Sequence, residues 1–142
     1  MKTTLRNFLL VSVTAAALML VPAVGTAAPE PPPIAGKWSG RVLLDNDSFG
    51  YKVRIKRKLT KGKVGGYFYQ TLGECLGELI YMRRKGKSYY FREKVTTGRL
   101  RCPSGSVDRL KRVGKKKVSF QSKGPKAKPG TTVGTLRPFK QP

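Results

Sequence analysis

Residues 51–59 read YKVRIKRKL, an alternation in which the even-numbered side chains are all cationic. A period of two is that of a β-strand, whose successive side chains point to opposite faces. The stretch therefore predicts a strand over Tyr51–Leu59 with one largely apolar face and one cationic face. The cationic face carries Lys52, Arg54, Lys56 and Lys58.

Similar short runs follow one another along the chain, separated by Gly, Pro, Asn or Asp residues that favour tight turns. The predicted strands are Lys37–Leu44, Tyr51–Leu59, Lys63–Gln70, Cys75–Arg83, Ser88–Thr96, Ser106–Arg112, Lys115–Ser122 and Thr131–Arg137. A meander of this length avoids exposed edges most simply by closing into an antiparallel barrel. The sequence thus predicts one small all-β domain over residues 36–142, a β-barrel of about eight strands, with a β-sandwich as the alternative.

The balance of charge points to the class of partner. The chain holds 30 Lys and Arg against 7 Asp and Glu, a formal net charge of +23. Such an excess favours association with polyanions, here nucleic acid, teichoic acid, sulfated glycan or an anionic cell surface. One alternative is that the charges keep an exported protein soluble and shield its strand edges. Another is an extracellular inhibitor or sensor domain that binds a protein or a small ligand, with charge only steering the association. Candidate binding residues are Lys52, Arg54, Lys56 and Lys58 of the alternating row and Arg83, Arg84 and Lys85 at a later turn.

The N-terminus has the pattern of a secretory signal peptide. Lys2 and Arg6 precede an apolar stretch, Phe8–Val24, and small residues follow it. We expect cleavage after Ala27 and secretion from the cell, with an uncleaved signal anchor as the alternative. Residues 28–35 then form a Pro-rich leader, which is typically stiff and extended.

The chain has two cysteines, Cys75 and Cys102. Export to an oxidising compartment predicts that they form a disulfide. Closing the loop between them should stabilise the fold by about 3.5 kcal/mol on the chain-entropy model.

Two carboxylates fall among apolar neighbours. Glu93 shares a predicted strand face with Phe91 and Val95, and Glu78 stands among Leu76, Ile80 and Met82. Two inward carboxylates could serve as the acid and base of a glycoside hydrolase. The interpretation we favour is a structural charge pair with Arg41, Arg99 or Arg137, in a protein that is not an enzyme.

Aromatic residues occur as two triplets, residues 67–69 and 89–91, so that some of their rings must face outward. Exposed rings beside cations could stack on bases or sugars, although aromatic pairing across strands is the commoner use. Trp38, the one tryptophan, is expected to fill an end of the core rather than to bind sugar.

The sequence lacks the residues that several kinds of catalytic and metal site require. The chain has no His, which excludes His-based triads and His-ligated zinc. Residues 45–50 begin like a calcium loop, but Lys56 stands where the closing Glu belongs. We expect no metal and no cofactor.

Several short motifs occur in a recognisable order along the chain: Gly36-Lys37-Trp38-Ser39-Gly40, Val64-Gly65-Gly66-Tyr67, Leu72-Gly73-Glu74-Cys75-Leu76-Gly77-Glu78-Leu79, Phe91-Arg92-Glu93, Gly98, Cys102 and Gly134-Thr135-Leu136-Arg137. They resemble a small exported β-domain of actinobacteria that is found alone in secreted proteins or attached outside the membrane to serine/threonine kinases. The resemblance spans residues 38–137 and implies an extracellular binding or sensing module without established catalytic residues. This chain differs from that pattern in its wealth of Lys and Arg and in carrying Phe120 where a Trp is typical.

Overall fold

The structure, a computed structural model, describes residues 33–125 and 130–140. The predicted signal peptide and most of the Pro-rich leader lie outside these residues. Eight strands and one short 3-10 helix, Leu72–Glu74, make up the fold. The strands are β1 Gly36–Leu44, β2 Asp47–Ile55, β3 Val64–Gln70, β4 Cys75–Lys85, β5 Ser88–Thr97, β6 Val107–Gly114, β7 Lys117–Lys123 and β8 Thr131–Pro138.

The strands close into a barrel. Each strand pairs antiparallel with the next one along the chain, and β8 returns to pair with β1 through Val42↔Gly134 and Ser39↔Arg137. The predicted all-β antiparallel barrel is therefore confirmed, and its closure distinguishes it from the sandwich alternative. Among the described residues, no helix has the length and apolar character needed to cross a membrane.

Strand β2 differs from its predicted bounds at both ends. It begins at Asp47, because Asp45, with φ 53°, and Asn46 make a tight turn that already pairs Asp47 with Leu44. It ends at Ile55, and after one more bond, from the Lys56 amide to the Gly65 carbonyl at 2.9 Å, the chain leaves the sheet. The prediction of four cations on one strand is wrong in this respect: Lys52 and Arg54 lie in β2, whereas Lys56 and Lys58 lie in the connection that follows it.

The inward side chains of the strands form one hydrophobic core. Along β2, Tyr51, Val53 and Ile55 are buried while Lys52 and Arg54 are exposed, as the alternation predicted. The Tyr51 ring packs 4.4 Å from the Phe120 ring, centroid to centroid. Trp38 is buried and its Nε1 donates a hydrogen bond to the Ile34 carbonyl at 2.8 Å. The prediction of a core role for Trp38 is confirmed.

Gly77 is a position at which the barrel has no room for a side chain. A Cβ placed there would lie 2.5 Å from the Lys94 carbonyl oxygen and closer still to Cε1 of the buried Phe68. We expect Gly77→Ala to lower the free energy of unfolding by about 2–3 kcal/mol, because the backbone oxygen cannot move without breaking the β4–β5 ladder. Gly114→Ala is the matched control, since nothing lies within 4 Å of its Cβ position. Equal stability of the two variants in urea denaturation would refute this packing argument.

Candidate functional site

The connections of the barrel fall at two ends. In an antiparallel meander successive connections alternate between the ends, so every second connection shares one end. Residues 56–63, 86–87 and 115–116 lie at the end that also holds the start of β1 and the finish of β8. Residues 45–46, 71–74, 98–106, 124–125 and 130 lie at the opposite end, which we call the mouth end.

The first of these ends gathers the basic clusters of the sequence, and we call it the basic end. Its exposed cations, in the three connections and beside them, are Lys56, Arg57, Lys58, Lys61, Lys63, Arg84, Lys85, Lys87, Lys115, Lys116 and Lys117. None of the described carboxylates lies in these three connections. Clusters that are up to 60 residues apart in the chain thus share one surface.

The outer wall beside the basic end continues this surface. Lys52 and Arg54 project outward from β2, opposite Tyr69 and Tyr67 of β3. The Lys52 Nζ lies 6.0 Å from the centre of the Tyr69 ring, and the Lys56 Nζ lies 5.3 Å from that of Tyr67. These cation–π contacts hold the ammonium groups along the wall without neutralising them.

The β4–β5 hairpin brings in the remaining predicted residues. The Arg83 guanidinium lies 5.1 Å from the centre of the Tyr90 ring, and Arg84 donates from Nε to the Gly86 carbonyl at 2.8 Å. An open groove of about 780 Å³ runs over β4 and β5. Its cationic lining residues are Lys61, Arg83, Arg92 and Lys94. The groove runs from Lys61 at the basic end along β4 and β5 to Ser104 and Gly105 of the 98–106 connection.

The seven candidate residues from the sequence are thus divided between neighbouring parts of one surface. Lys56, Lys58, Arg84 and Lys85 are at the basic end, and Lys52, Arg54 and Arg83 are on the adjoining wall. The other basic clusters of the sequence, with residues 57, 61, 63, 87 and 115–117, lie at the same end. They meet there because the even-numbered connections of a closed meander lie at one end.

The mouth end contains a cavity of about 510 Å³. Its wall includes Cys102, one half of the predicted disulfide, which is present: Cys75 and Cys102 are bonded, with their Cα atoms 6.3 Å apart. The bond ties the start of β4 to the 98–106 connection. Gly98, with φ 80°, makes room for it, because a Cβ there would lie 2.8 Å from the Cys75 Sγ.

Glu93 is buried inside the barrel, as its strand face predicted, but its partners differ from the prediction. The Tyr51 hydroxyl lies 3.0 Å from Glu93 Oε1 and 2.7 Å from Asp108 Oδ2. The expected charge pair with an arginine is wrong: the one ion pair among the described residues joins Lys94 to Glu78. Arg41 instead donates to the Ser48 hydroxyl at 2.9 Å, and Arg99 to the Val95 carbonyl at 3.1 Å.

Glu78 does not point inward. It lies on the outer face of β4, where its carboxylate is 3.0 Å from the Lys94 Nζ. The inward residues of this part of β4 are Cys75, Gly77 and Leu79. The Glu78–Glu93 acid and base pair of a glycoside hydrolase is therefore excluded, since the sheet separates the two carboxylates.

The Tyr51 hydroxyl has a single proton and cannot donate a hydrogen bond to both carboxylates. A hydroxyl donates one hydrogen bond and accepts others, so one of the two short contacts requires a proton on a carboxyl group. Burial, and next the nearby charge of Asp108, raise the pKa of Glu93 well above 4.5. Burial likewise raises the pKa of Asp108 from 3.8 to about 6. The two carboxyls and Tyr51 therefore share a proton inside the barrel.

The described residues contain no cluster of three or more Cys, Asp or Glu side chains suited to hold a metal ion. Comparison of the chain with family models, with curated proteins and with solved structures found no match. The resemblance to kinase-attached extracellular domains stays a prediction.

Proposed function

We propose that the protein is a secreted, non-enzymatic binding module that associates with an anionic extracellular polymer through the basic end and its adjoining wall. The observation that carries the proposal is the segregation of charge. The three connections at the basic end hold eight Lys and Arg residues and no carboxylate, whereas the described residues of the mouth-end connections hold two arginines, Arg99 and Arg101, and two carboxylates, Asp45 and Glu74. Solubility alone would be served equally by charges spread over the whole surface.

The arrangement suits a polymer better than a small anion. Lys52 and Arg54 extend down the wall from the basic end, and the groove over β4 and β5 adds further cations. A flexible polyanion can contact many of these sites at once and release its counterions at each. Exposed Tyr67 adds a ring on which a sugar or base can stack.

Secretion forms part of the proposal. The signal-peptide pattern of residues 1–27 supports it, as does the disulfide between Cys75 and Cys102, since disulfides persist in oxidising compartments. The polymer class is accordingly extracellular: nucleic acid, teichoic acid or sulfated glycan.

Retention on immobilised heparin, DNA and lipoteichoic acid across a salt gradient tests the proposal. We expect elution from at least one matrix only well above the physiological ionic strength of about 0.15 M, because many counterions are released together. Elution from all three at or below physiological salt would refute the proposed function.

Replacing Lys52, Arg54, Lys56 and Lys58 by Ser is expected to shift elution to lower salt. If all four contact DNA phosphates, the slope of log affinity against log salt should fall by about 3–4. An unchanged slope in a folded variant would remove these residues from the binding surface. Fluorescence anisotropy with a labelled oligonucleotide at several salt concentrations gives the slope.

A further inference from the structure

The cavity at the mouth end is a second, separate site. Its volume of about 510 Å³ is within the range of small-molecule pockets, about 300–1,000 Å³. Phe49, Tyr51 and Phe120 contribute aromatic surface to its lining, and Leu44 adds aliphatic surface. Glu93 supplies a carboxyl group among these apolar side chains. This combination of an apolar wall with one convergent polar group is typical of ligand sites.

Hydrogen-bond donors are few among the polar groups inside the barrel. Besides the Tyr51 hydroxyl, hydrogen bonds from Ser106 and Ser122 lower the pKa values of Glu93 and Asp108, against the larger effect of burial. Glu93 is only 7% exposed, and it is joined through the Tyr51 hydroxyl to Asp108, which is fully buried. The second carboxylate oxygen of Asp108, Oδ1, is buried and has no hydrogen-bond partner among the described residues. A buried acceptor without a partner costs free energy, so this network gains from an added donor. A ligand that brings N–H groups to Glu93 would supply one and draw the shared proton toward Asp108.

The charge around the cavity is unlike that of the rest of the surface. The exposed carboxylates Asp45, Asp47 and Glu74 are all at the mouth end, and Asp45 itself lines the cavity. They offset the three exposed cations of this end, Arg99, Arg101 and Lys123, of which Arg101 also lines the cavity. A cation approaching this end therefore meets much less repulsion than it would at the basic end.

From these three observations we infer that the mouth cavity binds a small organic amine in its protonated form, with the ammonium group at Glu93 and an apolar body against Phe49 and Phe120. Aromatic rings and a carboxylate together are the groups that recognise organic cations in water-poor sites. The site is at the opposite end of the barrel from the basic surface and does not depend on the proposed function.

Three probes with the same ring and different head groups test the inference: phenethylamine, 2-phenylethanol and 3-phenylpropionate. Calorimetry on the protein should show phenethylamine binding about tenfold or more tighter than 2-phenylethanol, since a charge-assisted hydrogen bond distinguishes them. Amide chemical-shift changes on adding phenethylamine should concentrate in β2, β5 and β7 near the mouth. Glu93→Gln should lower the affinity for phenethylamine by about tenfold or more and leave that for 2-phenylethanol unchanged.

Glu78→Gln is the matched control, because it removes a carboxylate from the outer face of the neighbouring strand. It should leave the affinity for phenethylamine unaltered. The inference is overturned if the amine does not bind, if it binds no tighter than the alcohol, or if folded Glu93→Gln binds it as the wild type does. Should Glu93→Gln fail to fold by near-ultraviolet circular dichroism, the comparison of probes and the shift map on the wild type decide.

Discussion

Replacing Lys115, Lys116 and Lys117 by Gln is expected to weaken binding to duplex DNA by about 100-fold at 0.15 M salt, if each contacts a phosphate. These residues form the β6–β7 turn and the start of β7, and all three are exposed at the basic end. The slope of log affinity against log salt should fall by about 2–3, since each lost contact no longer releases a counterion. Anisotropy titrations at several salt concentrations measure both quantities.

A variant at the opposite end separates the position of the charges from their number. Replacing Arg99, Arg101 and Lys123 by Gln removes the same number of positive charges, three, from the mouth end. Strands of seven to eleven residues make the barrel roughly 25 Å tall, well beyond the Debye length of about 8 Å in physiological salt. We expect the affinity to fall by no more than about threefold. Equal losses in the two variants would mean that net charge alone drives binding.

Stability is expected to decrease as the pH rises from about 4.5 to 8, because the buried carboxyls hold protons more tightly in the folded state than in the unfolded one. Burial raises the pKa of Asp108 from 3.8 to about 6. Its contribution is fully present below the unfolded pKa and is lost as the pH rises through the folded one. Asp108 alone should account for about 2 kcal/mol over this interval, and the raised pKa of Glu93 acts in the same direction.

Urea denaturation at a series of pH values measures this dependence. The double variant Glu93→Gln, Asp108→Asn should have a nearly flat profile, since neither amide titrates. Glu78→Gln, whose carboxylate is on the outer face, should keep the slope of the wild type. A free energy of unfolding that increases from pH 4.5 to 8 in the wild type would contradict the shared-proton arrangement.

The all-β architecture could be predicted because the alternation of side chains is local. Tyr51, Val53 and Ile55 alternate with Lys52 and Arg54 in the sequence, and they alternate between core and solvent in the barrel. The start of β2 was harder to predict, since it depends on the conformation of the Asp45–Asn46 turn. A single positive φ there starts the strand earlier than composition suggested.

The direction of Glu78 was misread because two apolar neighbours also face outward. Leu76 is 44% exposed and Ile80 is half-buried, while the inward position between Cys75 and Leu79 is Gly77, which has no side chain to reveal its burial. Alternation alone could not tell which face of β4 is the inner one. The packing of Phe68 over Gly77 determines it.

The partner of Glu93 could not be read from the sequence either. Asp108 is on β6, and its proximity depends on the register that pairs it with Phe91. The two strands are joined by the 98–106 connection and not by a tight turn, so no turn type in the sequence fixes that register. The grouping of the basic clusters at one end, by contrast, follows from the number of strands and the closure of the barrel alone.

Amide chemical-shift mapping with a heparin octasaccharide tests most directly whether the basic end is the binding surface. The expected result is that shift changes concentrate in residues 52–63, 84–87 and 115–117 and disappear at high salt. Changes centred on the mouth end, or spread evenly around the barrel, would contradict it.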